Sequence, residues 1–128
     1  MSRGSDRSVV VLSWVVLALL AAHDVTHLAD DGLDTSPGQL ALVAIPQWLA
    51  LAAVMAIVLR GSADQSRAAA IVLGLSVAVG FVLVHLVPLS PTAYWDLEPS
   101  GVSWLLVWLP AAAGLVLAAI SSRREVRV

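Results

Sequence analysis

The segment at residues 8–28 reads SVVVLSWVVLALLAAHDVTHL and contains no charged residue before Asp24. An apolar run of about 20 residues is long enough to cross the hydrocarbon core of a membrane as a helix. Three more such stretches follow, at residues 39–59, 68–87 and 102–120. The pattern predicts an all-α fold, an integral membrane four-helix bundle that occupies residues 1–128 as a single domain.

The composition favours the same class. The 128 residues are 59% hydrophobic and only 12% charged, with a mean hydropathy of +0.90. A soluble domain has about 25% charged residues, so this composition argues against a soluble enzyme, a nucleic-acid-binding protein and a disordered tail. The absence of cysteine excludes disulfides and thiolate metal sites. All seven basic residues are arginine, a usage that resembles GC-rich bacterial or archaeal coding.

The arginines predict the orientation of the four spans. Each arginine lies before span one, between spans two and three, or after span four: Arg3, Arg7, Arg60, Arg67, Arg123, Arg124 and Arg127. The other two loops are acidic and have no basic residue. Basic residues accumulate on the cytoplasmic side of membrane proteins, so we expect both termini in the cytoplasm and a location in the cytoplasmic membrane. The first span also fits a cleaved signal peptide, because basic residues precede the apolar run 9–22.

A shift of 64 residues aligns the chain with itself. From Leu33 to Arg60 the shift gives seven identities and one conservative match without a gap, and Pro46 falls on Pro110. This match predicts two tandem helical hairpins, an internal 2+2 repeat with its symmetry axis along the membrane normal.

Small residues four positions apart predict close helix packing. The pairs are Gly74 with Ala78, Ser76 with Gly80, and Gly114 with Ala118. This spacing places a smooth strip along one helix face, which allows two helices to approach closely. With two such strips, span three is expected to be the most buried helix.

The polar residues near the outer ends of spans one and three form the candidate site. His23 and His27 are four residues apart and share one helix face. His85 lies at a similar depth in span three, and because a polar ring at that depth is costly unless it faces protein, we expect His85 within reach of His23 or His27. Asp24 and Asp31 supply carboxylates near the histidines. Imidazole and carboxylate together favour a divalent transition metal such as Zn²⁺, Cu²⁺ or Ni²⁺.

Other interpretations of this cluster stay open. Two histidines that face each other across the bundle can ligate haem. Histidines beside carboxylates can also form a pH-sensitive lock, or a structural tether between spans one and three.

Several functional classes follow from these features. The leading expectation is a non-enzymatic subunit that assembles in the lipid bilayer with itself or with another membrane protein. The alternative is a metal-binding or haem-binding sensor with an outward-facing His/Asp site, and a second alternative is a small permease or membrane enzyme. No acidic or basic residue lies in the middle of any predicted span. Proton-coupled transporters usually need such a group, which disfavours that activity.

Overall fold

The computed structural model describes residues 6–29, 36–86 and 100–123 of the chain. Within these ranges it is all-helical, with no β-strand. The α-helices are α1 (Arg7–Ala29), α2 (Pro37–Arg60), α3 (Ala63–Phe81) and α4 (Gly101–Ser122), and a π-helical segment, Val82–Leu86, extends α3. The four helices match the four predicted spans in order and number. The acidic outer loops, including Asp31, lie outside the described residues.

Three of the helices are long and apolar enough to cross a membrane. These are Arg7–His27, Ala63–His85 and Gly101–Ser122, with mean hydropathies of 2.0, 2.3 and 2.0. In α2 the apolar stretch Ala44–Arg60 is shorter than these three. Length and composition therefore support three of the predicted spans in the described part of the chain.

Helix α3 begins five residues earlier than the predicted span, which started at residue 68. The reason is a capping box at Ser62. The Ser62 hydroxyl accepts a hydrogen bond from the Gln65 backbone N–H, and the Gln65 side chain accepts one from the Ser62 backbone N–H. These bonds satisfy backbone donors that an uncapped helix start leaves unpaired. Only Gly61 and Ser62 therefore separate α2 from α3.

The apolar core runs between the four helices. Fully buried side chains come from every helix, including Val16 of α1, Val58 of α2, Leu73 of α3 and Leu117 of α4. Because lipid tails are as apolar as leucine, close packing rather than exclusion of water must hold membrane helices together. Within this core α3 has the largest buried share of the three long helices, as its small residues predict.

Two glycines bring α3 and α4 into backbone contact. A Cβ atom added to Gly74 would collide with the Gly114 carbonyl oxygen, and one added to Gly114 would collide with the Gly74 carbonyl oxygen. Ala78 and Ala118 are also buried, so two of the predicted strips face each other. The third strip is different, because Ser76 is exposed and a Cβ on Gly80 would meet nothing within 4 Å.

The helix directions separate a basic end of the bundle from a histidine end. His23 and His27 near the end of α1 meet His85 near the end of extended α3. Arg7 at the start of α1 and Arg60 at the end of α2 lie at the opposite end. At the basic end, the hydroxyl of buried Ser66 in α3 donates a 2.8 Å hydrogen bond to the Val58 carbonyl oxygen in α2. This bond links the two helices.

The outer face of the bundle is apolar. Large side chains stand exposed on all four helices, among them Trp14 (54%), Leu49 (68%), Val84 (63%) and Leu105 (60%). Soluble monomers rarely expose continuous apolar surface on this scale. The surface therefore agrees with a membrane environment.

Candidate metal centre

One turn of α1 brings two imidazoles together. The Nε2 atoms of His23 and His27 lie 3.0 Å apart, and their rings meet edge to face with centroids 4.7 Å apart. This contact follows from the i, i+4 spacing, because residues four apart lie one above the other on a helix. Only one of the two nitrogens can have the proton in a hydrogen bond of this kind. Both can instead point lone pairs at one metal ion.

The third imidazole comes from the π-helical segment. His85 Nδ1 lies 3.2 Å from the Phe81 carbonyl oxygen, and since a carbonyl only accepts, Nδ1 is the protonated nitrogen. In the neutral ring this tautomer leaves the lone pair on Nε2, the arrangement found in most metal-ligating histidines. Single π-helical turns often occur at functional sites, and this one contains the only histidine outside α1.

The three histidines meet in a cluster of metal-site dimensions. One ring nitrogen from each of His23, His27 and His85 lies within 4.8 Å of the other two. Tetrahedral Zn²⁺ with Zn–N bonds of about 2.0–2.1 Å places its ligand nitrogens about 3.4 Å apart. Small side-chain rotations would therefore suffice to close the cluster around an ion, with no change in the helix backbone.

Burial makes the cluster unusual for polar side chains. His23 is 3% exposed and His85 is 8% exposed, while His27 is half-buried. The Nδ1 atoms of His23 and His27 are buried without a hydrogen-bond partner. Unpaired buried polar atoms are rare in native proteins. An ion held through the two Nε2 atoms would not contact these Nδ1 atoms, so the support for a metal comes from the convergence of the rings.

The ring of Phe81 packs against two of the three imidazoles. Its ring stacks on His85 with centroids 5.1 Å apart and meets His23 edge-on at 4.6 Å. Phe81 is itself buried, so it restricts both rings to orientations that face each other. Phe81 was not among the residues predicted for the site from the sequence. Its position four residues before His85, on the same helix face, was the available signal.

Asp24 does not join the imidazole cluster. Its carboxylate accepts a 2.7 Å hydrogen bond from the indole N–H of Trp48 in α2. The sequence predicted Asp24 as a candidate metal ligand. In the structure its carboxylate links α1 to α2 and lines the same end of the cavity as the histidines. Trp48 was missed because its partner lies 24 residues away, beyond any local pattern. Asp31, the other predicted carboxylate ligand, lies outside the described residues.

This link predicts a measurable contribution to stability. Trp48→Phe keeps an aromatic ring but removes the N–H that pairs with Asp24. We expect the free energy of unfolding in mixed micelles to fall by about 1.5–3 kcal/mol, the value of a hydrogen bond to a charged group. Trp14→Phe, at an exposed tryptophan of α1, is the control. Equal effects of the two substitutions would show that the hydrogen bond between Trp48 and Asp24 adds nothing to the free energy of unfolding.

A cavity of about 630 Å³ adjoins the histidines. It lies between α1, α2 and α3, and all three histidines and Asp24 line one end of it. The rest of the lining is mainly aliphatic, with Leu51, Val54 and Leu73 among its residues. Ligand pockets usually have this volume and this mixture of an apolar wall with a few polar groups.

Comparisons with models of known protein families, with characterised protein sequences and with solved structures found no match to this chain. A function for this chain therefore has to be inferred from the site itself: three imidazoles, two buried and one half-buried, that meet at one end of an apolar cavity.

Proposed function

We infer that this protein is an integral membrane protein that binds one divalent transition metal ion through His23, His27 and His85. The observation that supports this function is the convergence of three ring nitrogens within 4.8 Å. Bringing three polar rings into an apolar bundle is costly. A bound ion would offset that cost, because it would replace contacts between imidazoles with metal–nitrogen bonds.

The ring geometry favours a single ion over haem. In a haem with two histidine ligands, one imidazole approaches each face of the porphyrin. Here the rings of His23 and His85 are in contact, with centroids 4.9 Å apart, and those of His23 and His27 are 4.7 Å apart. No planar macrocycle fits between the rings of either pair. The rings of His27 and His85 are 6.3 Å apart, but His23 is in contact with both of them and occupies the space that a porphyrin would need. Imidazole ligands suit Zn²⁺, Cu²⁺ and Ni²⁺, and three of them leave a fourth tetrahedral position open on Zn²⁺.

The test is metal analysis of the purified full chain without a histidine tag. After dialysis against trace Zn²⁺ we expect one metal ion per chain, and Co²⁺ should give the visible absorption of a tetrahedral site. The variant with all three histidines replaced by alanine should bind neither ion. Equal metal content in the wild type and this variant would overturn the proposal.

The orientation is a further part of the proposal. We place both termini in the cytoplasm and the histidine end outside, in the cytoplasmic membrane, with α2 as the fourth span. The positions of Arg7, Arg60 and Arg67 at the end opposite the histidines support this arrangement. It makes the metal site accessible from the exterior.

Reporter fusions test this topology. Fusions after Ser62 and at the C-terminus should report the cytoplasm, and a fusion after Thr35 should report the exterior. The physical reason is the arginine asymmetry, so moving arginines into the loop that contains Thr35 should reduce the exterior signal of the Thr35 fusion. A cytoplasmic signal at Thr35 in the wild type would contradict the proposed topology.

We retain the 64-residue repeat as a proposal about sequence origin. The shared proline of α2 and α4 supports it. The packing of the two hairpins differs, because Pro46 is exposed and Pro110 is buried. Moreover, the positions equivalent to Gly74 and Gly114 are Val10 and Ala50, so the glycine contact has no counterpart in the first hairpin.

The role we propose is non-enzymatic. A metal-binding membrane protein of this size can act as a sensor or as a metal-loaded subunit beside a second copy or another membrane protein. The open coordination position supports ligand binding, and the absence of acidic or basic residues in the middle of the predicted spans argues against a proton-coupled permease. A membrane enzyme is the remaining alternative, and turnover of a ligand bound at the metal would support it.

A further inference from the structure

The cavity next to the histidines has two chemically distinct ends. The three imidazoles and the Asp24 side chain form one end. From there the lining follows α3 back to Val72, a distance of about 20 Å along the helix. Across from α3 the lining residues of α2 include Ala44, Leu51 and Val54. The cavity is therefore a long apolar channel with a polar end.

The cavity opens toward the outside of the bundle between α2 and α3. Val72 and Val84 both line it and are 54% and 63% exposed. Ser76 and Gly80 lie in the same wall. Because the Ser76 side chain is small and Gly80 has none, the cavity stays open at these positions. In a membrane this opening faces lipid, so a lipid-soluble molecule can enter sideways.

These features define one kind of occupant. We propose that the cavity binds a single-chain fatty acid whose carboxylate occupies the open coordination position of the metal. This inference rests on the proposed metal site. A divalent ion held by three neutral imidazoles would have two positive charges, of which the nearby Asp24 carboxylate, bonded to Trp48, would balance only one. Its fourth position would accept an oxygen ligand such as water or a substrate. An anionic oxygen is therefore the complementary head group.

The length of the cavity agrees with one acyl chain. A chain in one leaflet spans half of a hydrocarbon core that is roughly 30 Å thick, about 15 Å, so it fits within the distance of about 20 Å from His85 to Val72. The volume of about 630 Å³ lies in the range of sites for single small molecules. The polar end of the cavity lies at the ends of two long apolar helices, where a lipid head group would also lie.

Cobalt-substituted protein gives a direct test in neutral detergent. Dodecanoate should produce a saturable change in the visible Co²⁺ bands with one site per chain. Acetate at the same concentration should produce no change, because it has no chain to fill the cavity. Methyl dodecanoate should also produce none, since its ester lacks the anionic oxygen.

Variants of the cavity wall complete the test. Gly80→Leu fills the channel at a position where an added Cβ meets nothing within 4 Å, and Ser76→Leu is a second variant at an exposed position of the same wall. Both should bind Co²⁺ as the wild type does and lose the response to dodecanoate. Ala112→Leu, at an exposed position of α4 outside the cavity, should keep the response.

The outcomes separate the two proposals. The fatty-acid site would be overturned, and the metal site left intact, if normal Co²⁺ bands did not respond to dodecanoate or responded equally to acetate. An undiminished response to dodecanoate in both Ser76→Leu and Gly80→Leu would overturn it as well. Failure of the wild type to bind Co²⁺ would overturn the metal site and, with it, the fatty-acid site that depends on it.

Discussion

Replacing His85 by alanine is expected to abolish stoichiometric metal binding. His85 is the only ligand that α3 and its π-helical extension contribute, and without it the remaining pair lies on a single helix turn. Loss of a residue that only orients a ligand weakens metal binding by about 10–100-fold. Loss of a ligand itself should therefore weaken metal binding by more than about 100-fold. A Co²⁺ titration followed by visible absorption measures the change.

The same variant separates a metal site from a structural tether. A ligand that binds only the folded state stabilises it by about 2.7 kcal/mol at a free concentration of about 100 times Kd. The wild type should gain this stability when Zn²⁺ is added, whereas His85→Ala should gain none. A tether would instead make the substitution equally costly with and without Zn²⁺. Leu83→Ala, at a half-exposed neighbour on the same segment, is the control and should keep the Zn²⁺ effect.

The dependence of metal affinity on pH has a definite sign. Imidazole must be neutral to ligate a metal, so binding releases protons wherever the free histidines are charged. Metal affinity should therefore fall as the solution becomes more acidic. Isothermal titration at several pH values measures both the affinity and the protons released.

Gly74→Leu is the second substitution with a large expected effect. Even a Cβ at this position would collide with the Gly114 backbone, so the larger side chain must push α3 away from α4. Overpacking of this kind costs about 3 kcal/mol, and membrane helices have little hydrophobic driving force to offset the lost packing. The free energy of unfolding, measured in mixed micelles, should fall by this amount.

Gly80→Leu provides the matched control for Gly74. It adds the same side chain to the same helix, at a position where the new Cβ meets nothing within 4 Å. Its stability should stay close to that of the wild type. If both variants lost stability to the same extent, the close approach of α3 and α4 would not be the reason.

The local features of this fold could be predicted from the sequence. The four apolar runs predicted the four helices in the described residues, and three of those helices are long enough to span a membrane. The i, i+4 spacing predicted that His23 and His27 share a face, which the 3.0 Å contact confirms. Helix geometry relates such neighbours directly, so no tertiary information is needed.

Most contacts between distant residues were beyond that reasoning, although the common depth of the histidines predicted that His85 lies within reach of His23 or His27, which the histidine cluster confirms. Ser76–Gly80 and Gly74–Ala78 look alike as sequence, yet one lines a cavity and the other packs against α4. Asp24 lies at the histidine end of the cavity, but its hydrogen bond to Trp48 could not be predicted from the sequence. The position of a residue in the sequence determines the helix face on which its side chain lies. Which neighbouring helix that face contacts depends on how the helices are arranged.

The sequence by itself determined the class of the protein and the ends at which its charges and histidines lie, because hydropathy and spacing act along one helix at a time. Only the tertiary structure decided that His85 meets both His23 and His27, and that an apolar cavity opens beside them. The physical reason is that both features depend on how far apart whole helices pack. The contact of Gly74 with Gly114 brings α3 close to α4, whereas the cavity lies where α1, α2 and α3 leave space between them.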